Sequence, residues 1–73
     1  MPHINIKYYS TLTKEQQSEM ALALTKVITN ILQCEEGAVS IALEPIEKEL
    51  WYQNVYVPEI IKRKELLFKI PNY

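Results

Sequence analysis

The first residues of the chain alternate between apolar and polar side chains. Ile4, Ile6 and Tyr8 fall on one side of an extended chain, and the residues between them are polar. A period of two is typical of a strand with one buried face, so the pattern predicts a strand from Pro2 to about Tyr9. Proline is tolerated at the first residue of a strand, where no interior ladder bond is lost. Pro2 lies on the side of Ile4 and Ile6, and we expect Lys7, on the other side, to be solvated.

A long helical pattern follows. Thr13 and Gln16, in TKEQ, have the spacing of a capping box, which predicts that a helix begins here. The apolar residues that follow recur every three or four positions and form one stripe, made by Met20, Leu24, Val27, Ile28 and Ile31. This periodicity predicts a helix to about Gln33 with the stripe buried. We expect Gly37 to supply a positive φ in the turn that follows.

The stretch AVSIALE, residues 38–44, predicts a second strand that is apolar on both sides, as in a strand covered on both faces. Two strands joined by a helix form a right-handed crossover with parallel strands. Beyond Pro45 we expect one or two helical turns in IEKELWYQ and a short extended piece in VYV. A last helix is expected in PEIIKRKELLFK, because Pro58 suits a first helical turn. The predicted fold is α+β: a βαβ unit with short C-terminal helices, in one domain over residues 1–73.

Such a unit is incomplete by itself. Its helix covers one face of a two-stranded sheet, and the second face and both edges stay exposed. Small sheets need more strands or a cover to be stable. The pattern therefore predicts an oligomer, of which a symmetric dimer is the simplest form.

Composition narrows the function. The chain has 73 residues, a net charge of −1 and one cysteine, so it has no internal disulfide. Two glutamates follow Cys34 and disfavour a reactive thiolate there. The single basic run, residues 62–64, is flanked by glutamates, which is typical of a solvated helix face and not of a nucleic-acid surface. No signal peptide or membrane span is visible, so we expect a cytoplasmic protein that binds neither nucleic acid nor membrane.

The ordered set of motifs resembles the 4-oxalocrotonate tautomerase superfamily, and within it the short PptA-type tautomerases. The matching features are the Met-Pro start, PHINIK, the helix entry LTKEQQ, the strand SIAL, Trp51 and the ending KIPNY. The resemblance covers nearly the whole chain. It implies a βαβ fold, subunit contacts that form the pockets, and a cofactor-free isomerase that needs no metal.

The resemblance implies that Pro2 is catalytic. Methionine aminopeptidase removes Met1 before a small residue, which leaves Pro2 with a free secondary amine. In this family that amine is the general base that moves a proton within a keto–enol substrate. An α-amino group ordinarily has a pKa near 8, and burial lowers it, so the neutral base is accessible near pH 7.

Three further positions are candidates for substrate binding. Two arginines that hold a dicarboxylate in the founding members match Leu12 and Ser40, neither of which can form an arginine fork. The aromatic wall of the pocket matches Trp51. A monoacid with an aromatic or apolar tail, such as phenylpyruvate, is therefore the expected substrate.

Alternatives remain at this stage. Trp51 is equally well explained as a core or interface anchor. Ser40 is better explained as a plain strand residue, and His3 as a surface or interface residue. If Met1 stays attached, the nitrogen of Pro2 is an amide without a basic lone pair. The chain would then be a non-catalytic small-ligand-binding or structural module of the same fold. The sequence leaves open both a homodimer and a hexamer.

Overall fold

The computed structural model describes residues 1–9 and 11–73. Strand β1 (His3–Tyr8) leads to helix α1 (Lys14–Leu32), which returns to strand β2 (Ser40–Pro45). The two strands pair in parallel, with His3 opposite Ser40 and Tyr8 opposite Pro45. The predicted βαβ unit is therefore confirmed.

The start of α1 is the predicted capping box. The backbone N–H of Gln16 donates to Thr13 Oγ1 at 3.1 Å, and the backbone N–H of Thr13 donates to Gln16 Oε1 at 2.9 Å. Glu15 lies in the first turn, where its charge suits the helix dipole. Local chemistry thus sets this boundary without help from tertiary contacts.

The end of α1 corrects one expectation. Gln33, and not Gly37, adopts the left-handed conformation, with φ 54° and ψ 51°. Its side-chain amide donates to the carbonyl oxygen of Asn30 at 2.6 Å and satisfies one of the last helical acceptors. Gly37 lies one turn further on, in a 3₁₀ turn from Glu36 to Ala38, and its φ is negative. The helix therefore ends before the glycine is reached.

The C-terminal third also differs from the prediction. A 3₁₀ turn, Lys48–Leu50, leads into a π-helix, Tyr52–Ile61, and a second 3₁₀ turn spans Lys64–Leu66. The segment VYV is therefore helical and not extended. Pro58 lies inside the π-helix, so no helix begins at Pro58 or continues to Lys69.

The π-helix covers part of the second face of the sheet. Lys7 Nζ contacts Glu59 Oε2 at 2.8 Å, and the Lys7 side chain is only 21 % exposed. The expectation that Lys7 is solvated was wrong, because it assumed that this face was uncovered. Sequence periodicity describes each element alone and could not place the π-helix against β1.

Burial within a single chain is shallow. Among the described residues, Val55 of the π-helix is the one fully buried apolar side chain, at 6 % exposure. Of the predicted α1 stripe, Met20, Leu24 and Ile28 are half-buried, whereas Val27 and Ile31 are exposed. Within the described residues, no helix combines the length and the apolar character needed to cross a membrane.

Candidate active site

Pro2 lies immediately before β1 and is half-buried. Its carbonyl oxygen accepts the backbone N–H of Ser40 at 3.1 Å, which extends the pairing of the two strands by one bond. The hydrogen bond between the strands at this position uses the carbonyl oxygen of Pro2 and needs no N–H on its nitrogen. The position therefore reconciles proline with the sheet, because the missing donor is not needed here.

Ser40 is the first residue of β2 and lies beside Pro2. His3 Nδ1 and Ser40 Oγ are 2.7 Å apart, so the two side chains form a hydrogen bond across the strands. Both residues are exposed. This bond and the Ser40–Pro2 backbone bond together hold the start of β1, on which the direction of Pro2 depends.

Trp51 lies at the N-terminal boundary of the π-helix and is half-buried. Its ring meets that of Tyr9 edge-on, with centroids 5.1 Å apart and an interplanar angle of 78°. The indole N–H donates to the hydroxyl of Tyr73 at 3.3 Å. These contacts place Trp51 at the end of β1 where Tyr8 and Tyr9 lie, and Trp51 lines a shallow cavity with both of them.

The four candidate residues thus divide between the two ends of the sheet. Six residues of extended chain separate Pro2 from Tyr8, which corresponds to about 20 Å. Pro2 and Ser40 lie at the first end. Leu12 is half-buried just before the cap of α1 and lies, like Trp51, at the other end. Trp51 also lines, together with His3, a groove beside β1.

A larger cavity was not predicted and adjoins Trp51. It has a volume of about 450 Å³, and we call it the aromatic cavity; it is lined by Tyr9, Lys48, Trp51, Tyr52, Tyr56 and Tyr73. Two of its tyrosines, Tyr52 and Tyr73, are 65 % and 64 % exposed. The i, i+4 spacing of Tyr52 and Tyr56 was the available signal for a shared helical face.

A second groove, of about 510 Å³, runs between β1 and the π-helix and carries charge. Glu59 accepts hydrogen bonds from Lys7 and from Arg63, the latter at 2.9 Å. The hydrogen bond with Lys7, followed by that with Arg63, lowers the pKa of the Glu59 carboxyl. The hydrogen bond between Lys7 and Glu59 also raises the pKa of Lys7. The i, i+4 spacing of Glu59 and Arg63 is visible in the sequence. Lys7 and Glu59 are 52 residues apart in the chain, so no local pattern indicates that they pair.

The described residues contain no group of three or more histidine, cysteine or acidic side chains placed to hold a metal ion. Hydrogen-bonding and cationic groups are present in both cavities. The chemistry that these side chains support is binding of an organic anion and proton transfer.

The chain is similar in sequence to known proteins over its whole length. No family model matches the chain. The chain is 38 % identical to the tautomerase PptA of Cronobacter sakazakii over 74 aligned positions, which cover all of this chain and 97 % of that protein. It is 39 % identical to the tautomerase PptA of Klebsiella pneumoniae and 38 % identical to that of Escherichia coli, with the same coverage.

Identity at this level over the full length of both proteins accompanies the βαβ unit and the Met-Pro start described above. The chain belongs to the PptA tautomerase family, a family of isomerases.

Proposed function

We propose that this chain is a cytoplasmic, cofactor-independent enol–keto tautomerase that acts on a 2-oxo acid or its enol, such as phenylpyruvate. Pro2 is the general base once Met1 has been removed. The full-length identity to tautomerases is the observation that carries the proposal. The position of Pro2 supports it, because the sheet uses the carbonyl of this residue and not its nitrogen.

The proton transfer is balanced without any second reactant. The neutral amine of Pro2 removes the proton from the enol hydroxyl and becomes a charged ammonium. The oxygen then forms the C=O bond, and the electron pair of the C=C bond shifts to the carbon next to the one that carries the oxygen. The ammonium then returns the proton to that carbon, which yields the keto acid and the neutral amine. A positioned base of this kind contributes a factor of about 10²–10⁴ in rate.

The residues at the two expected arginine positions favour a monocarboxylate. Leu12 has no charge, and the hydroxyl of Ser40 is already hydrogen-bonded to His3. Neither residue replaces the bidentate grip of a guanidinium on a second carboxylate. A substrate with one carboxylate and an apolar remainder fits these side chains better than a diacid does.

We further propose a homodimer in which Pro2 of one chain meets Trp51 of the other. Trp51 packs on Tyr9, at the end of β1 away from Pro2, and this supports a shared site. The surface area supports assembly as well: the chain exposes 6171 Å², whereas a folded monomer of 8.6 kDa exposes about 4,700 Å². Exposed apolar residues on α1 contribute to this excess; they are Leu22, Val27, Ile31 and Leu32.

The catalytic proposal is tested by preparing the chain without Met1, with intact mass as the check, and following conversion of phenylpyruvate enol by absorbance. We expect activity in the trimmed protein and a loss of at least about 100-fold in its Pro2→Ala variant. Protein that retains Met1 serves as the matched control and should be inactive. Equal rates in the trimmed protein and in Pro2→Ala would refute the role of Pro2 and favour a ligand-binding module.

Assembly is tested separately by sedimentation. Ile31→Glu places a charge on the exposed apolar side of α1, where Ile31 is 69 % exposed, and should shift the protein toward the monomer. Asn30→Glu adds the same charge to the neighbouring exposed residue and should leave assembly intact. A monomeric unsubstituted protein would contradict the dimer, and a six-chain species would replace it by a hexamer.

A further inference from the structure

The direction of the Pro2 nitrogen depends on one backbone hydrogen bond. The pyrrolidine ring fixes φ, so rotation about the Cα–C bond is the remaining torsion that orients the nitrogen relative to β1. The carbonyl oxygen of Pro2 turns with that same torsion, and it accepts the backbone N–H of Ser40 at 3.1 Å. This bond therefore sets where the nitrogen points, although the nitrogen takes no part in it.

A hydrogen bond at the beginning of a sheet opens easily. Residues at a chain terminus separate from their partners at little free-energy cost unless further contacts hold them. Strand β1 begins at His3, and both His3 and its register partner Ser40 are exposed. The backbone bond to Pro2 therefore needs a second contact nearby if it is to keep the nitrogen in one direction.

The side chain of Ser40 supplies that second contact. Its hydroxyl lies 2.7 Å from Nδ1 of His3, so Ser40 holds Pro2 through its backbone and His3 through its side chain. The hydroxyl donates to Nδ1 when that nitrogen has no proton and accepts from Nδ1–H when it has one. The hydrogen bond therefore forms in both tautomers of the imidazole and also with the charged ring.

The same face of the sheet carries a comparable hydrogen bond further from Pro2. Asn5 Nδ2 donates to Glu44 Oε1 at 3.1 Å, which also joins a side chain of β1 to one of β2. Asn5 and Glu44 are exposed, as His3 and Ser40 are. Loss of the Asn5–Glu44 bond therefore shows what a general weakening of the strand pairing does without a direct effect on Pro2.

We propose that Ser40 is a positioning residue, which together with His3 holds Pro2 in the direction that proton transfer requires. The inference rests on the proposed role of Pro2, and it gives Ser40 a different task from the substrate contact that the family resemblance implies. Ser40 has one O–H, and when this group donates to His3 none is left for a substrate carboxylate. A reacting group misplaced by about 1 Å can lose about 100-fold in rate, so Ser40 affects the reaction without touching the substrate.

Hydrogen exchange tests the positioning contact without any turnover. In the chain without Met1, the exchange rate of the Ser40 N–H reports how often its bond to Pro2 opens. His3→Phe keeps a flat ring and removes Nδ1, and should speed this exchange by about 3–5-fold, the effect of losing one exposed hydrogen bond. His3→Asn places an amide atom where Nδ1 stands and should restore slow exchange. Glu44→Ala is the matched control and should leave the exchange unchanged, because it breaks only the bond to Asn5.

Kinetics of the trimmed protein separate positioning from substrate binding. Ser40→Ala and His3→Phe should each lower kcat for phenylpyruvate enol by about 10-fold with little change in KM. The double variant should lose no more than either single variant, because both substitutions break the same hydrogen bond. Ser40→Thr keeps the hydroxyl and should recover most of kcat. A residue that binds the substrate would behave differently: Ser40→Ala would raise KM, and His3→Phe would have little effect.

The outcomes distinguish this inference from the proposed function. If the trimmed protein is inactive, or if Pro2→Ala is equally active, the proposed function fails and the positioning role of Ser40 fails with it. If the trimmed protein is active and Pro2→Ala is not, unchanged exchange of the Ser40 N–H in His3→Phe would overturn the inference alone. So would a Ser40→Ala variant whose one change is a raised KM, or an equal loss of kcat in Glu44→Ala.

Discussion

Replacing Glu59 by glutamine tests how the π-helix is held on the sheet. Glu59 accepts from Lys7 at 2.8 Å and from Arg63 at 2.9 Å, and its side chain is 35 % exposed. The Arg63 pair joins residues one turn apart and contributes about 0.3–0.5 kcal/mol. The Lys7 pair joins the helix to β1, and Lys7 is largely shielded, so its contribution lies near the upper end for surface pairs, about 1 kcal/mol.

Glutamine keeps one acceptor oxygen and loses the charge. We therefore expect Glu59→Gln to lower the free energy of unfolding by about 1 kcal/mol at pH 7, a decrease in Tm of about 4–8 °C for a domain of this size. The assay is urea and thermal unfolding by circular dichroism at one fixed protein concentration, because assembly links stability to concentration. Raising sodium chloride to 1 M should reduce the difference.

The pH dependence of this difference has a defined sign. The pKa of Glu59 is lowered in the folded chain, so its contribution is full above the ordinary carboxyl pKa and disappears as pH falls through the folded value. The pKa of Lys7 is raised, so its contribution is full below the ordinary lysine pKa and is lost as pH rises through the raised value. The difference between the two proteins should therefore be constant around pH 7 and vanish in acid.

Glu65→Gln is the matched control, since it removes the same charge from an exposed residue that has no ion pair among the described residues. A double-mutant cycle with Lys7→Met isolates the coupling to Glu59, because methionine keeps the apolar stem. Equal destabilisation by Glu59→Gln and Glu65→Gln would refute the reasoning. So would a Lys7–Glu59 coupling smaller than that between Arg63 and Glu59.

Four further substitutions test local features. Thr13→Ala removes the acceptor for the Gln16 N–H in the first turn of α1 and should cost about 1 kcal/mol of unfolding free energy. Gln16→Ala should cost less, because it removes only the acceptor for the exposed N–H of Thr13, which water can replace. Gln33→Gly should stabilise the chain by about 0.5 kcal/mol, because the strain relieved at a φ of 54° exceeds the loss of the exposed hydrogen bond from Gln33 to Asn30. A lower urea midpoint would contradict this. Val55→Ala should cost about 2 kcal/mol, since Val55 is buried against the sheet side of the π-helix; an unchanged urea midpoint would show that this residue is not part of a core.

Local patterns were sufficient for the βαβ unit. The capping box marked the start of α1 because its two hydrogen bonds join residues three apart, and the alternation in β1 follows from strand geometry. The elements of the C-terminal third were predicted less well from local patterns. Pro58 satisfies the sequence rule for a first helical turn, yet it lies inside a π-helix that begins at Tyr52. The hydrogen bonds of a π-helix join residues five apart. The rules for helical periodicity and for proline in the first turn are based on the α-helix, whose hydrogen bonds join residues four apart.

The sequence named candidate site residues but could not place them relative to one another. The sequence pointed to Pro2, Ser40, Leu12 and Trp51 as separate positions, and the family relationship is borne out by the comparisons. Their placement at opposite ends of the sheet is a property of the topology. In this parallel pair, Pro2 and Ser40 lie where the strands begin, whereas Trp51 follows β2 and packs on Tyr9 beyond the end of β1.

The sequence by itself determined where β1, α1 and β2 form, because caps and periodicity act over a few residues. It also determined the family, since the motifs stand in order along the whole chain. Only the tertiary structure decided which residues meet: Lys7 with Glu59, His3 with Ser40, and five aromatic residues around Lys48. These contacts join residues from distant parts of the chain. They depend on how the π-helix packs on the sheet, which no local pattern specifies.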